Sequence, residues 1–481
     1  MNIAFVVTPV VREVDGKYVP AYMDGLKSNP HVAPYLLTAI LKRKKYPVTI
    51  YDVPADQFID FDVIAKDLSG FDAICFSVTS FSYSTACIIL KKVKGIRKDA
   101  IVVIGGIHAS ILNEQIMRNP GIDYAIAGEG EVGLPNLVSA LITKQEVREV
   151  PGLIYRGGDG RAIRNTLAPF LQTPQLNQLP IPAFEDLPKG VYASLSIESS
   201  RGCKSHCAFC ASPHHKTWRP IDPGPFVDKM VKMLPLSQST RKDRSFCIVD
   251  DCFTTDARRV IDIMKLLDKR CGDVELSFDA RAVDIVREPR MVQYFAPFCN
   301  SLLIGAESCD NKTLRRIGKP VTKDMLIRTA QILYRNGIAH KATFSAILCF
   351  PRQTLDDCKE MVKFFSGLVA SYGIGMFFQW CALLPGSKFW EEYHEAKGVQ
   401  VTLFQDLTAL EDERLYFVDN LSDAEIDDLC ELLFVLREFF ATLYSDHGLY
   451  KKKVEFSVPR AAMLGRDKSE RSRIGSGEGL P

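Results

Sequence analysis

The sequence predicts an α/β protein of two sheet-and-helix bodies in tandem, a doubly wound parallel sheet followed by a partial (β/α)6 barrel, with a mainly helical C-terminal cap. Three observations predict it. At 481 residues the chain is too long for one ordinary core. Short, continuous apolar runs alternate with amphipathic helical stretches in two separate series, the pattern of parallel strands covered on both faces. Between the series, prolines at 169, 174, 180, 182 and 188 suit neither a helix nor a central strand. The expected boundaries are 1–150 for the first, flavodoxin-like or Rossmann-like domain and 151–190 for a hairpin and proline-rich linker. The barrel is expected over 191–390, and the helical region over 391–481 with a tail that reads as disordered from about residue 465.

Composition narrows the class. A hydrophobic fraction of 47% and mean hydropathy near zero describe a soluble globular chain. A net charge of +2 gives no reason to expect nucleic acid or an anionic membrane as partner. No apolar run reaches the ~18 residues of a membrane span, and the N-terminus enters a strand with no signal peptide. The fourteen cysteines then read as reduced thiols plus a metal site, in a reducing, cytoplasmic setting, rather than as disulfides.

In the first series, strands are expected at Asn2–Val7, Pro47–Val53, Ala73–Val78, Ile101–Gly106 and Tyr124–Ala127, with helices at Ala33–Lys44 and Thr85–Ile96 among those between them. Ligands on such sheets sit at the carboxyl ends of the strands. Those ends carry Ser77-Val78-Thr79, Gly105-Gly106-Ile107-His108 and Gly128-Glu129-Gly130-Glu131. Glu129 and Glu131 are placed to cap a helix from about Val132. A hairpin follows at Val150–Gly160. In the second series, strands are expected at Val191–Ile197, Ser245–Asp250, Val274–Asp279, Ser301–Ala306, Thr343–Cys349 and Met376–Cys381. Helical patterns run over Arg258–Lys269, Lys323–Asn336 and Leu355–Gly367, and in the tail over Asp423–Tyr444.

The first strand of this series leads into Cys203-Lys204-Ser205-His206-Cys207-Ala208-Phe209-Cys210, three cysteines at C-x3-C-x2-C spacing on a strand-end loop. Tetrahedral zinc and an ordinary four-iron cluster both take four protein ligands. Three thiolates on a [4Fe-4S] cube leave one iron open. The alternatives are a zinc site with a distant ligand such as His206 or His214, and three unrelated core thiols.

This stretch resembles the signature of radical S-adenosylmethionine (SAM) enzymes, including the aromatic Phe209 before the last cysteine. The resemblance implies that Cys203, Cys207 and Cys210 hold the cluster. It also implies that the open iron chelates SAM and that the reduced cluster cleaves SAM to a 5′-deoxyadenosyl radical. Residues 1–150 resemble the cobalamin-binding domain that precedes many such barrels. There Ser77, Thr79, Gly105, Gly106, His108, Gly128 and Glu129 are expected to line the cobalamin cleft, with His108 a loop hydrogen-bonder rather than a cobalt ligand. The usual D-x-H-x-x-G loop is absent: the equivalent Ser28–Pro34 carries only an out-of-register His31, as in members that bind cobalamin without a histidine ligand. In the barrel, Phe209, Asp250, Asp251, Arg281, Glu307 and Ser308 match positions that contact SAM. Asp250 and Asp251 are expected at its amino group, Arg281 at its carboxylate as a bidentate pair, and Glu307 at the ribose or methionine end. The loop Phe350–Thr354 departs from the family's Gly-x-Pro-Gly-Glu-Thr and is expected to serve this chain's own substrate.

Together these imply a cobalamin-dependent radical SAM enzyme, foremost a C-methyltransferase that uses the 5′-deoxyadenosyl radical and methylcobalamin on a small molecule. Its electron donor would be of the flavodoxin or ferredoxin kind. The alternatives are a cyclase or ring-rearranging enzyme of the same architecture, and a non-enzymatic metal-binding scaffold.

Overall fold

The computed structural model describes residues 1–14, 16–20, 29–53, 59–212, 217–407, 409, 412–445 and 454–456. His214 and the tail beyond 456 lie outside the described residues. The chain forms two compact units. One comprises Met1–Leu195, Lys232–Asp243 and Gln400–Ala409; the other comprises Ser196–Val231, Arg244–Val399 and Leu410–Pro481.

The first unit contains β1 (Ile3–Val7), β2 (Val11–Val14), β3 (Lys17–Pro20), β4 (Val48–Asp52), β5 (Ala73–Ser77), β6 (Ile101–Gly105), β7 (Tyr124–Ile126), β8 (Leu153–Arg156) and β9 (Ala162–Arg164). Its main sheet has the order β4-β1-β5-β6-β7-β8-β9. The first five of these strands run parallel, as the continuous apolar runs require. Separate apolar cores cover the two faces, one around Phe76, Ile104 and Leu90, the other around Phe5, Val103 and Leu137. Two features go beyond the sequence expectation. The hairpin assigned to the linker extends the sheet: β8 pairs antiparallel with β7, Tyr124 opposite Tyr155, and so covers an edge three residues long. The proline strap also holds a one-turn helix, Thr173–Gln178, because Pro174 sits in the first turn, where the missing N–H costs nothing.

The second unit carries β10 (Leu195–Ile197), β11 (Ser200–Arg201), β12 (Arg219–Pro220), β13 (Ser245–Ile248), β14 (Glu275–Ala280), β15 (Cys299–Glu307), β16 (Ala342–Leu348), β17 (Gly375–Trp380) and β18 (Val454–Phe456). The sheet order is β10-β13-β14-β15-β16-β17-β18, parallel from β13 onward. The six expected strands are all present. The short β18, in the region read as a helical cap, is an addition. On one face aromatic residues meet the helices: Phe278 packs on Phe253 and Phe295, and Phe378 on Phe365. Alternate residues such as Ser277 and Asp279 therefore lie on the other face. The helix expected over Leu355–Gly367 runs on to Tyr372 and stops at Gly373, left-handed at φ 66°. The helix Asp423–Ser445 matches its sequence reading.

Candidate functional site

The cysteine loop leaves β10 and is closed at its base by the β11–β12 ribbon, which pairs Arg201 with Arg219. Asp250, just beyond β13, anchors the way in. Its carboxylate accepts from the Ser199 and Ser200 amides at 2.6 and 2.9 Å and from their hydroxyls at 2.5 and 2.6 Å. Burial raises its pKa, opposed by the Arg259 guanidinium and the serine donors. Arg259 in turn donates to Ser199 O and, at 2.9 Å, to Ile221 O. The acceptor positions of Asp250 are filled and 4% of its surface is exposed. It fixes the backbone that carries the cysteines.

Arg281 is likewise engaged within the protein. Its fork is already occupied by Asp284, Nε to Oδ2 and Nη2 to Oδ1 both at 2.8 Å, and Asp284 also accepts from the Thr254 hydroxyl at 3.1 Å. Nη1 donates to Ser205 Oγ at 3.2 Å, inside the cysteine loop. This buried ion pair supports the loop.

Two helix termini meet the same loop, the C-cap of Asn311–Arg316 and the first turn of Lys388–Tyr393. Ala208 N donates to Ile317 O at 2.9 Å, and Phe389 N donates to Ala208 O at 2.9 Å. The Phe209 ring lies 5.7 Å from Phe350, which is 6.3 Å from Phe389. Phe350 is fully buried, and its amide donates to Gln353 Oε1 at 2.8 Å, so the loop expected to serve the substrate also packs on the cysteine loop through Phe350. Glu307 ends β15 in the left-handed region at φ 65° and pairs with Lys319 at 2.7 Å. Ser308 is buried and accepts from the Asp310 amide at 3.1 Å. Asp251 stays exposed beside the loop and accepts from the Ser212 hydroxyl at 3.3 Å.

The donor set fits a cluster. Burial pushes the Cys207 thiol up to about 11 and Cys210 upward as well, and both also feel Cys203. The thiols therefore lie within one another's field, and a bound metal centre would hold them as thiolates. Among the described residues no three His, Cys, Asp or Glu side chains converge tightly enough for a single ion. A cube binds each thiolate through a different iron, so its ligands stand apart around it.

In the first unit the strand ends gather the residues expected at cobalamin. Thr79 and Ser82 bond each other, with Thr79 N to Ser82 Oγ at 3.0 Å, which shapes the turn after Ser77. Gly106 follows β6 at φ 98°, where a Cβ would stand 2.6 Å from Val78 O. Only glycine fits, and it brings two bare backbones together at the strand ends. His108 is fully buried, bonded through Nδ1 to Ser80 Oγ at 3.0 Å, while Nε2 has no partner. Burial lowers its pKa to about 4, so it is neutral at pH 7. This orphaned nitrogen and the glycine cradle fit a polar, bulky ligand at these ends. Ser110 Oγ accepts from Gly128 N at 2.9 Å, setting the last turn. Glu129 stands at the N-cap of the helix Gly130–Thr143 without capping it; its carboxylate accepts from the Leu171 amide at 2.7 Å. Arg259, Asp284 and Lys319 went unread in the sequence, because no spacing relates them to the cysteines they support.

The second unit therefore defines the class: a sheet of parallel strands whose ends hold a three-cysteine loop, as in radical SAM enzymes. Residues 197–365 match the Radical SAM superfamily, and residues 30–138 match the B12 binding domain. The chain is 28% identical to an uncharacterized methyltransferase of Pyrococcus horikoshii, over 76% of this chain and 78% of that protein. It is 25% identical to the anaerobic magnesium-protoporphyrin IX monomethyl ester cyclase of Rubrivivax gelatinosus, over 73% of this chain and 62% of that protein. Among solved structures, the cobalamin-dependent radical enzyme OxsB superposes with a TM-score of 0.71 at 19% identity, covering 98% of this chain and 71% of that one. The methyltransferase TsrM of Kitasatospora setae gives 0.63 at 18%, covering 83% and 77%. The chain thus carries a B12 binding domain followed by a domain of the Radical SAM superfamily, and these two domains call for cobalamin, SAM and a [4Fe-4S] cluster.

Proposed function

We propose that this enzyme methylates carbon in a small-molecule substrate. The observation that carries the reading is the cysteine loop: three thiols rather than four, held from strand ends and helix termini, in a chain that also bears a B12 binding domain. Cys203, Cys207 and Cys210 would hold the cluster. Asp251, Ser308, Glu307 and Phe209 would face SAM, with Asp250 and Arg281 as positioning residues. Ser77, Thr79, Gly105, Gly106, His108 and Gly128 would hold cobalamin. When bound, these groups supply one-electron cleavage of a sulfonium and a methyl carrier. The chain's own part is to fix the thiols, to present carboxylates to a cationic sulfonium, and to exclude water at the aromatic wall of Phe209, Phe350 and Phe389.

The domain reading remains a cobalamin-binding part within 1–150, a hairpin and linker to 190, the barrel to 390 and a C-terminal part to 481. A one-electron donor such as flavodoxin or ferredoxin, in a reducing cytoplasm, would complete the system. Among the described residues no helix is long and apolar enough to cross a membrane.

The test is anaerobic reconstitution with iron, sulfide, reductant, SAM and hydroxocobalamin, with mass spectrometry of the SAM products. Both 5′-deoxyadenosine and S-adenosylhomocysteine, with a SAM-dependent change in the cobalt spectrum, are expected. Deoxyadenosine alone would turn the reading to cyclisation or rearrangement, which the Rubrivivax relative favours. Neither product, with zinc in place of iron, would end it.

A further inference from the structure

Lys319 is a buried cation that the sequence reading did not single out, and the fold goes to some length to place it. The segment Ile317-Gly318-Lys319 clamps the cysteine loop. Ile317 O receives the Ala208 amide at 2.9 Å, and Gly318, left-handed at φ 71°, lies so close to the loop that a Cβ would stand 2.9 Å from His206 O. These two contacts flank Cys207 on both sides in sequence. The Lys319 side chain is 12% exposed and Nζ sits 2.7 Å from Glu307 Oε1. Room for that pair is made at Gly305, where a Cβ would meet Glu307 Oε1 at 2.4 Å and Lys319 Nζ at 2.7 Å. Burial lowers the pKa of the ammonium, but Glu307 and Cys207 outweigh it and hold the pKa above the usual lysine value. At Cys207, Lys319 is the chief influence opposing burial, ahead of Glu307 in the other direction.

We propose that the Lys319–Glu307 pair sets the reduction potential of the cluster that Cys203, Cys207 and Cys210 hold, Lys319 raising it and Glu307 lowering it. The inference rests on the cluster reading above. Adding an electron to a cluster bound by thiolates adds negative charge. A fixed cation beside one of the thiolates stabilises the reduced form, and a fixed anion destabilises it. The two members of the pair are therefore opposed, with the ammonium held nearer in effect because the clamp ties its segment to the loop. They are positioning residues, acting through Cys207.

The test is anaerobic potentiometry of the reconstituted holoprotein, followed by the electron paramagnetic resonance signal of the reduced cluster, with iron and sulfide counted per chain. Lys319→Met is expected to lower the reduced-to-oxidised ratio at fixed poise by about tenfold, a shift of about 59 mV to more negative potential for one electron. Lys319→Arg should restore most of it. Glu307→Gln is expected to shift the potential the other way. A merely structural pair would loosen the loop whichever member was removed, moving both variants in the same direction or losing iron from both. Equal potentials, or shifts of the same sign, would overturn the proposal. A wild-type chain that takes up no four-iron cluster would overturn the cysteine reading itself and the proposal with it, and the iron count distinguishes that outcome.

Discussion

Asp250 shows how a single carboxylate decides whether the cysteine loop is ordered. Four donors from Ser199 and Ser200 converge on it at 2.5–2.9 Å in a buried setting. Asp250→Ala leaves those donors without an acceptor and Arg259 without its countercharge, and losing one side of a buried charged network costs about 3–5 kcal/mol. Asp250→Asn keeps the shape. Its carbonyl can take the two amides that Oδ1 receives, and its amide can donate to hydroxyls that rotate to accept. The expected loss for Asn is about 1–2 kcal/mol, since the bonds are kept and the charge is not. Thermal unfolding with iron per chain checks both: Ala should lower Tm and iron retention together, and Asn should keep most of the iron. If Asn and Ala behaved alike, charge rather than hydrogen bonding would be what orders the loop. Here lies the residue-level limit of sequence reading. The Asp250-Asp251 pair was recognisable as an acidic strand end. Which carboxylate turns inward to the backbone of Ser199 and which stays exposed near Ser212 depends on strand register and on Arg259, sixty residues away from its acceptor Ser199.

At the scale of elements, strands were readable because each parallel strand is a run of continuously apolar residues, bounded by polar or glycine turns. Phe5, Phe76 and Val103 are apolar for the same reason that they are buried. The elements that escaped were those held by pairing alone: β18 is three residues long, and the β8–β9 hairpin declares itself as a hairpin without declaring its neighbour. The turns were legible through glycine. Gly106→Ala must open the turn between β6 and the backbone of Val78, since the new Cβ would also approach Val78 N at 2.7 Å. The cost is about 1–3 kcal/mol for a residue forced into a region it avoids. Cobalamin uptake, measured by absorbance after gel filtration, should fall, while iron per chain should not change, because Gly106 belongs to the first unit and the cysteines to the second. Gly95 provides the contrast. It lies inside the helix Tyr83–Ile96 with nothing within 4 Å of its would-be Cβ, so Gly95→Ala should stabilise by about 0.5–1 kcal/mol and leave cobalamin uptake intact. A Gly106→Ala chain that binds cobalamin like the wild type would remove these strand ends from the cofactor site.

Across the whole molecule, the two units carry buried titrating groups of opposite sense, a property that no sequence pattern displays. His108, in the first unit, is held neutral by burial with a pKa of about 4, against 6.5 when unfolded. The unfolded chain therefore takes up a proton first as pH falls, and stability present above pH 6.5 is lost toward pH 4. Asp279, in the second unit, is pushed up to about 6 by burial, with the Asp250 and Asp251 carboxylates adding to it, against 3.8 when unfolded. Here the folded chain takes up the proton first, so stability is greatest below pH 3.8 and is lost as pH rises through 6. Acidification from pH 7 to 5 should thus weaken the unit that holds His108 and strengthen the one that holds Asp279. The difference in Tm between each variant and the wild type isolates these groups from every other carboxylate in the chain. For His108→Gln that difference should grow as pH falls, by at most about 1.4 kcal/mol per pH unit, or about 3–6 °C. For Asp279→Asn it should shrink over the same range, since the variant lacks the proton uptake that stabilises the wild type. Scanning calorimetry of the apoprotein at pH 7, 6 and 5 reads both slopes. Slopes of the same sign would mean that one of the two groups is not held as its surroundings dictate, and the variant whose slope departs identifies which.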